Sequence, residues 1–274
     1  MLTFDIHTHT IASGHGTRDT ISDMAKEAAA RGLSTLGISD HSPATPGAAS
    51  LSYFRSLPKA PQTRFGIRLL YGAEANILEG GLLDIPDDVL KDLDFCIVSM
   101  HRPPRGNYPR RSEEPVSLPR IVPASDTGYP FFVWAKENRP GTCGTVEENT
   151  MDYIRAMQNP HVHILGHCDN TQFPVDYVRI ADAAAENHMI VEVNNASLTP
   201  GGYHQLPGIS TRENYKELLS LCQKRRIPVL ISSDTHGRQG IGRADYAEQI
   251  VRELSYPEEL IVNMHPEEFF MRPS

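Results

Sequence analysis

The sequence predicts an α/β protein whose strands close, or nearly close, into a TIM-like barrel of seven β/α units. Two observations lead there. Short apolar runs alternate with helical stretches along the chain, the order expected of parallel β/α units. Polar, metal-competent residues stand at the ends of six of the seven predicted strands, and a ring is what brings so many strand ends together. An open doubly wound sheet is the structural alternative, but it would gather a ligand at one switch point.

The first strand covers 3–8 and enters DIHTHT (5–10). Alternation places Asp5, His7 and His9 on one face, with Leu2, Phe4 and Ile6 on the other. A polar row on a buried strand is costly unless a metal ion or hydrogen bonds satisfy it. A loop with His15 leads to a helix near 19–31, with Thr17 to Thr20 as cap candidates and Gly32 as its stop. LSTLGIS (33–39) is the second strand and runs into Asp40 and His41. After a Pro/Ala/Ser-rich loop and a short helix around 48–56, IRLLYGAEANI (67–77) is the third strand and carries Glu74.

A short helix (85–93) precedes the fourth strand, FCIVSMH (95–101), which ends on His101. The insert that follows, about 102–145, holds eight prolines and arginines at 102, 105, 110, 111 and 120. Segments of this length without regular structure are usually functional lids or excursions. A helix at 146–158 leads to the fifth strand, HVHILGH (161–167), which ends on His167. Helix 174–187 leads to MIVEVNN (189–195), and helix 212–225 to IPVLISSDTH (227–236), which supplies Asp234 and His236. A last helix near 243–254 completes one domain spanning 1–274.

Composition narrows the partners. A net charge of −8 argues against broad binding to nucleic acid or anionic membranes. It leaves room for a small anionic substrate, because metal charge dominates a local site. Four cysteines without a CxxC pair read as reduced thiols, which with no signal peptide and no ~20-residue apolar span points to a cytoplasmic protein. Oligomeric state is not encoded legibly.

The compositional oddity is twelve histidines. His7, His9, His15, His41, His101, His167 and His236, with Glu74 and Asp234, would all lie at the C-terminal mouth of a parallel barrel. Imidazole and carboxylate together suit zinc, manganese or iron. Nine ligands are too many for one ion and suit three, with a carboxylate such as Glu74 bridging two.

DIHTHT, ISDHS, YGAEANI, VSMH, ILGHCDN and SSDTHG, in this order, resemble the PHP (polymerase and histidinol phosphatase) family across nearly the whole chain. EVNN at the end of the sixth strand adds a likeness to its stand-alone, YcdX-like phosphatase branch. The resemblance implies a distorted (β/α)7 barrel holding a trinuclear centre, usually zinc. It implies that His7, His9, Glu74 and Asp234 hold one ion, Glu74, His101 and His167 a second, and His15, His41 and His236 a third. The insert at 102–145 looks longer than the family pattern, so substrate preference transfers least.

The remaining polar residues divide by position. Asp5 and Asp40 are expected to fix histidine tautomers as supporting carboxylates. Arg102 directly follows a ligand and suits a phosphate oxygen through its planar fork, and His204, in GGYHQLPG, is a second candidate substrate contact. His163 lies four residues before His167, about 13 Å deeper in the barrel, too far to be a ligand. His161, His188 and His265 read as ordinary, and Cys168 as a buried thiol turned away from the mouth.

Clustered divalent ions stabilise both entering and leaving oxygens of phosphoryl transfer and lower the pKa of bound water. The expected activity is hydrolysis of a small phosphomonoester, with Asp234 or His236 assisting proton movement. A phosphodiesterase or 3′ nuclease would use the same centre but lacks a basic groove here. Amide hydrolysis ranks below both, because no strand end offers the lysine that binuclear amidohydrolases often carbamylate. A non-catalytic metal-binding regulatory module is the alternative of another class.

Overall fold

The computed structural model describes residues 2–101, 120–122, 131–133, 143–202 and 210–267. In chain order the strands are β1 (Phe4–Asp5), β2 (Thr8–His9), β3 (Thr35–Ile38), β4 (Thr63–Arg64), β5 (Ile67–Asn76) and β6 (Phe95–Ser99). They continue as β7 (Arg120–Val122), β8 (Phe131–Val133), β9 (Ile164–Leu165), β10 (Ile190–Asn194), β11 (Val229–Ser232) and β12 (Thr235–His236).

Seven of these form one parallel sheet in the order β1-β3-β5-β6-β9-β10-β11. The ends meet at the mouth. β2 prolongs the first strand, β12 prolongs the last, and the two pair in parallel with Thr235 opposite Thr8 and His236 opposite His9. That pairing favours the barrel over the open sheet and sets two of the predicted ligands side by side. β4 pairs antiparallel with β5, and within the 102–145 insert β7 and β8 form an antiparallel pair.

The helices are α1 (Ile21–Ala30), α2 (Leu51–Ser56), α3 (Asp87–Leu90), α4 (Val146–Met157), α5 (Tyr177–Glu186), α6 (Asn195–Leu198), α7 (Thr211–Arg225) and α8 (Asp245–Glu253). Local chemistry sets their ends. Thr20 caps α1 in a capping box with Asp23, and Thr145 caps α4 with Glu148, so two orphan N–H groups are satisfied at each start. Among the described residues, no helix is long and apolar enough to cross a membrane.

Strand parity sorts the core into two layers. Leu36, Leu69, Val98, Val191 and Val229 face outward and pack with the helices, while Phe4, Leu70, Phe95, Ile97, Ile164, Ile190 and Leu230 fill the barrel interior. A Cβ on Gly72 would stand 2.6 Å from the Phe95 ring, and one on Gly37 2.5 Å from Ile6 Cβ, so these glycines make room for the interior side chains. Two residues farther along the same inward faces, the filling becomes polar: Ser99 on β6, Glu192 on β10 and Ser232 on β11. The barrel is therefore greasy at its base and polar at its mouth.

The first strand departs from simple alternation. Phe4 and Ile6 alternate inward as expected, but regular pairing lapses between Asp5 and Thr8, and His7, the neighbour of Ile6, also turns inward. Leu2 packs in the outer layer, not with Phe4 and Ile6. Asp5 consequently does not share a face with His7 and His9.

Candidate metal centre

Glu74 reaches the mouth on the inward face of β5 and is completely buried. Five imidazoles converge on its carboxylate. His167 Nε2, His101 Nε2 and His7 Nε2 lie 2.9, 3.1 and 3.3 Å from Oε1, and His41 Nδ1 and His9 Nε2 lie 2.7 and 3.5 Å from Oε2. Asp234 stands opposite, with Oδ1 3.1 Å from His9 Nε2 and 3.4 Å from His7 Nε2. His41 and His236 face each other Nε2 to Nε2 at 3.3 Å. His15 is the outermost of the set, with its ring 4.9 Å from those of His41 and His236. The nine residues from six strand ends and one loop thus form one contiguous cluster.

Protons decide what these rings can do. Glu192, from the inward face of β10, accepts hydrogen bonds from His7 Nδ1 and Ser232 Oγ on one oxygen, and from the His167 amide and Asn194 Nδ2 on the other. His7 therefore turns Nε2 to the cluster. Ser13 Oγ gives its only proton to Asp40 (2.7 Å) and accepts from the His41 amide, so His9 Nδ1, 2.9 Å away, must be the donor to it. His101 Nδ1 lies 3.0 Å from Asn76 Oδ1, and His15 Nδ1 3.1 Å from the Ser13 carbonyl. Four rings thereby turn Nε2 to the mouth.

These nitrogens meet a carboxylate, Glu74, that can only accept when ionised. His7 Nε2, His41 Nδ1 and Glu74 Oε2 are buried and form no hydrogen bond. Such an arrangement is unfavourable unless positive charge sits among the atoms. Burial opposes ionisation of Glu74, yet His101, His7 and His41 hold it well below the usual carboxylate range. Burial likewise opposes charge on His7, but Glu192, Asp234 and Glu74 hold it well above its usual value. Burial and the neighbouring imidazoles hold His9 well below its ordinary value and push His41 and His236 down to about 4. At neutral pH these three are uncharged, the form that binds a metal. Among the described residues, His7, His9 and Asp234 bring ligand atoms within 4.8 Å of one another, as do His41, Glu74 and His101, and His9, His41 and His236. The donor set fits divalent cations.

The backbone leaves strand geometry where side chains must turn in. His167 and Asp234 both have positive φ, 23° and 50°, a conformation uncommon for non-glycine residues.

The supporting residues differ from expectation in one case. Asp40 does support His9, through Ser13, and also accepts from the Thr10 amide and hydroxyl and from Tyr53. Among the described residues, no histidine hydrogen-bonds to Asp5. It accepts from the Ser233 and Gly242 amides and ties the first strand to the last, its carboxylate turned outward by alternation between the inward Phe4 and Ile6. Glu192 is the functional residue that reasoning on single strand ends missed. The signal was present in EVNN, where an acidic residue shares parity with Asn194 inside an otherwise apolar strand. Cys168 is buried in the outer layer as expected, and His163 is exposed at the barrel base. Arg102 and His204 lie outside the described residues.

The model of the PHP domain matches residues 5–223. The chain belongs to the PHP family. Its relatives include a protein named as a probable phosphatase in Clostridium botulinum, 35% identical over 94% of this chain and 89% of that one. Another of the same name, in Acetivibrio thermocellus, is 34% identical over 97% and 92%. Among solved structures, the histidinol phosphate phosphatase of Lactococcus lactis, complexed with zinc, L-histidinol and phosphate, aligns with a TM-score of 0.52 at 16% identity, covering 92% of this chain and 91% of that one. At that identity the likeness shows the fold, a PHP barrel, in agreement with the strand order found here.

Proposed function

We propose that this PHP protein is a metal-dependent phosphatase that hydrolyses a small phosphomonoester. The observation that carries the reading is Glu74, one buried carboxylate facing five imidazoles, three of which have their Nδ1 protons committed elsewhere. Three divalent cations account for the donors, zinc first, with manganese or iron as alternatives. His7, His9, Glu74 and Asp234 would hold one, Glu74, His101 and His167 a second, and His15, His41 and His236 a third. Cations held there supply charge stabilisation for a phosphoryl group and a water of lowered pKa.

The chain's own residues organise the rest. Glu192, Ser13 and Asn76 hold rings in the orientation that presents Nε2. Asp234 and His236 are both proposed to assist proton movement, and Asp234 Oδ2 is held in place by Asn194 Nδ2 at 2.9 Å. Two carboxylates against three divalent ions leave positive charge for a phosphate, as the acidic chain as a whole does not. Arg102 and His204 are proposed as substrate contacts on sequence grounds.

The test pairs elemental analysis with a panel of phosphomonoesters, p-nitrophenyl phosphate included, and a labelled oligonucleotide. Wild type should carry metal and turn over monoesters, and Asp234→Ala should lose at least about 10³-fold in rate, or about 4 kcal/mol. Full turnover by Asp234→Ala would overturn the reading. Preferential oligonucleotide cleavage would replace it with a nuclease, and a metal-replete protein inert to every phosphoester with a regulatory module.

A further inference from the structure

Asp84 lies in the loop after β5, belongs to none of the three donor groups, and makes four hydrogen bonds. Its Oδ1 accepts from Ser42 Oγ and from the Asn76 amide (2.9 Å); its Oδ2 accepts from the Ala44 amide (2.7 Å) and from Asn76 Nδ2 (2.8 Å). A carboxylate accepts and never donates when ionised. The end of the Asn76 side chain that meets Asp84 must therefore be its NH2 group. That leaves Asn76 Oδ1 on the opposite side, 3.0 Å from His101 Nδ1, and an amide oxygen accepts only. His101 must then carry a proton on Nδ1, and its neutral form has the lone pair on Nε2, the atom 3.1 Å from Glu74.

We propose that Asp84 is a positioning residue that selects the metal-binding tautomer of His101 by setting the orientation of the Asn76 amide. The same carboxylate holds Ser42 and Ala44, so it also anchors the chain leaving His41, which faces the other oxygen of Glu74. Asp84 thereby serves ligands on two strand ends through Asn76, Ser42 and Ala44. Turning the Asn76 amide over would set its NH2 group against His101 Nδ1, and that nitrogen would have to become the acceptor. The proton would then sit on Nε2 and block the donor. The inference rests on the metal-ligand role proposed for His101, and the experiment separates the two.

The decisive set is Asp84→Asn, Asn76→Asp and the double variant Asn76→Asp/Asp84→Asn. In Asp84→Asn the new amide can face Asn76 with either end, so the orientation is no longer imposed. In the double variant residue 84 donates to residue 76 and gives up the bond from the Ala44 amide, and residue 76 again accepts from His101. Zinc affinity is read by chelator competition and elemental analysis, with circular dichroism confirming the fold, and ring 15N shifts report the His101 tautomer in metal-free protein. Asp84→Asn should lose about 10- to 100-fold in affinity for the ion at Glu74, His101 and His167. Its His101 should lose the Nδ1–H signature, and the double variant should recover both. Folded Asp84→Asn with wild-type affinity and tautomer overturns the inference, as does a double variant no better than Asp84→Asn. If wild type bound no zinc, the metal-centre reading would fall, and the 15N shifts of metal-free wild type and Asp84→Asn would still decide the tautomer claim.

Discussion

Histidines stand at both ends of this barrel, and the two ends use them differently. At the mouth, seven rings crowd around Glu74 and Asp234, with His9 and His236 only 4.2 Å apart between centroids. At the base, His163 and His188 line a depression of about 1000 Å³ together with Lys91, Asp94, Arg225 and Arg226. Both base histidines are exposed. The difference is not residue type but what stands behind each ring. His7, His9 and His101 have a hydrogen-bonding partner behind Nδ1 and the Glu74 carboxylate before Nε2, whereas His163 accepts from the Cys96 amide on a ring that is exposed. A binding site is made by burial that removes the alternatives.

Four substitutions would test that contrast. The largest effect is expected from Glu74→Gln, which leaves the shape but removes the charge shared by five rings. Metal content should collapse and phosphomonoester turnover fall by at least about 10³-fold, about 4 kcal/mol. His163→Asn at the base should change neither by more than about twofold, and equal losses for both substitutions would erase the distinction between the ends. Next is Glu192→Gln, in which the amide can no longer accept all four hydrogen bonds. Zinc affinity measured by chelator competition should drop about 10- to 100-fold while the protein stays folded. Unchanged affinity would mean that the rings hold their orientation without it.

The smallest effect concerns pH in the metal-free protein. Burial brings His236 from 6.5 to about 4 on folding. Between those values the unfolded chain binds the proton and the folded chain does not, so stability falls as pH drops through that window. His236→Asn removes this contribution. Denaturant titrations should show the variant gaining on wild type by about 1–3 kcal/mol between pH 6.5 and 4, and no change above 6.5. A difference independent of pH would show that crowding at the mouth leaves this ring as free as one at the base.

Much of this was legible in the sequence because barrel periodicity is simple. Each predicted strand corresponds to an observed one, and all nine predicted ligands fall in one cluster at one end. Parity also foresaw that Cys168 turns away and that His163 lies deep. The failure at Asp5 is instructive. Alternation is a rule for paired strands, and the pairing lapses between Asp5 and Thr8, where the barrel passes from its apolar filling to its polar one. Glu192 was passed over because it sits two residues below the strand end, inside what reads as a core segment.

The sequence by itself determined the seven barrel strands, the longer helices between them, their order, and the donor types brought to the mouth, since these follow from hydrophobic period and residue chemistry. β4, α6 and the β7–β8 pair in the insert were not read from it. Only the tertiary structure decided the closure of β12 on β2, the outward turn of Asp5, and the choice of tautomer at His7, His9 and His101. Those depend on hydrogen-bond partners 4 to 185 residues away along the chain. A tautomer is set by the atom opposite the ring, and the chain's order does not name that atom until the barrel has closed.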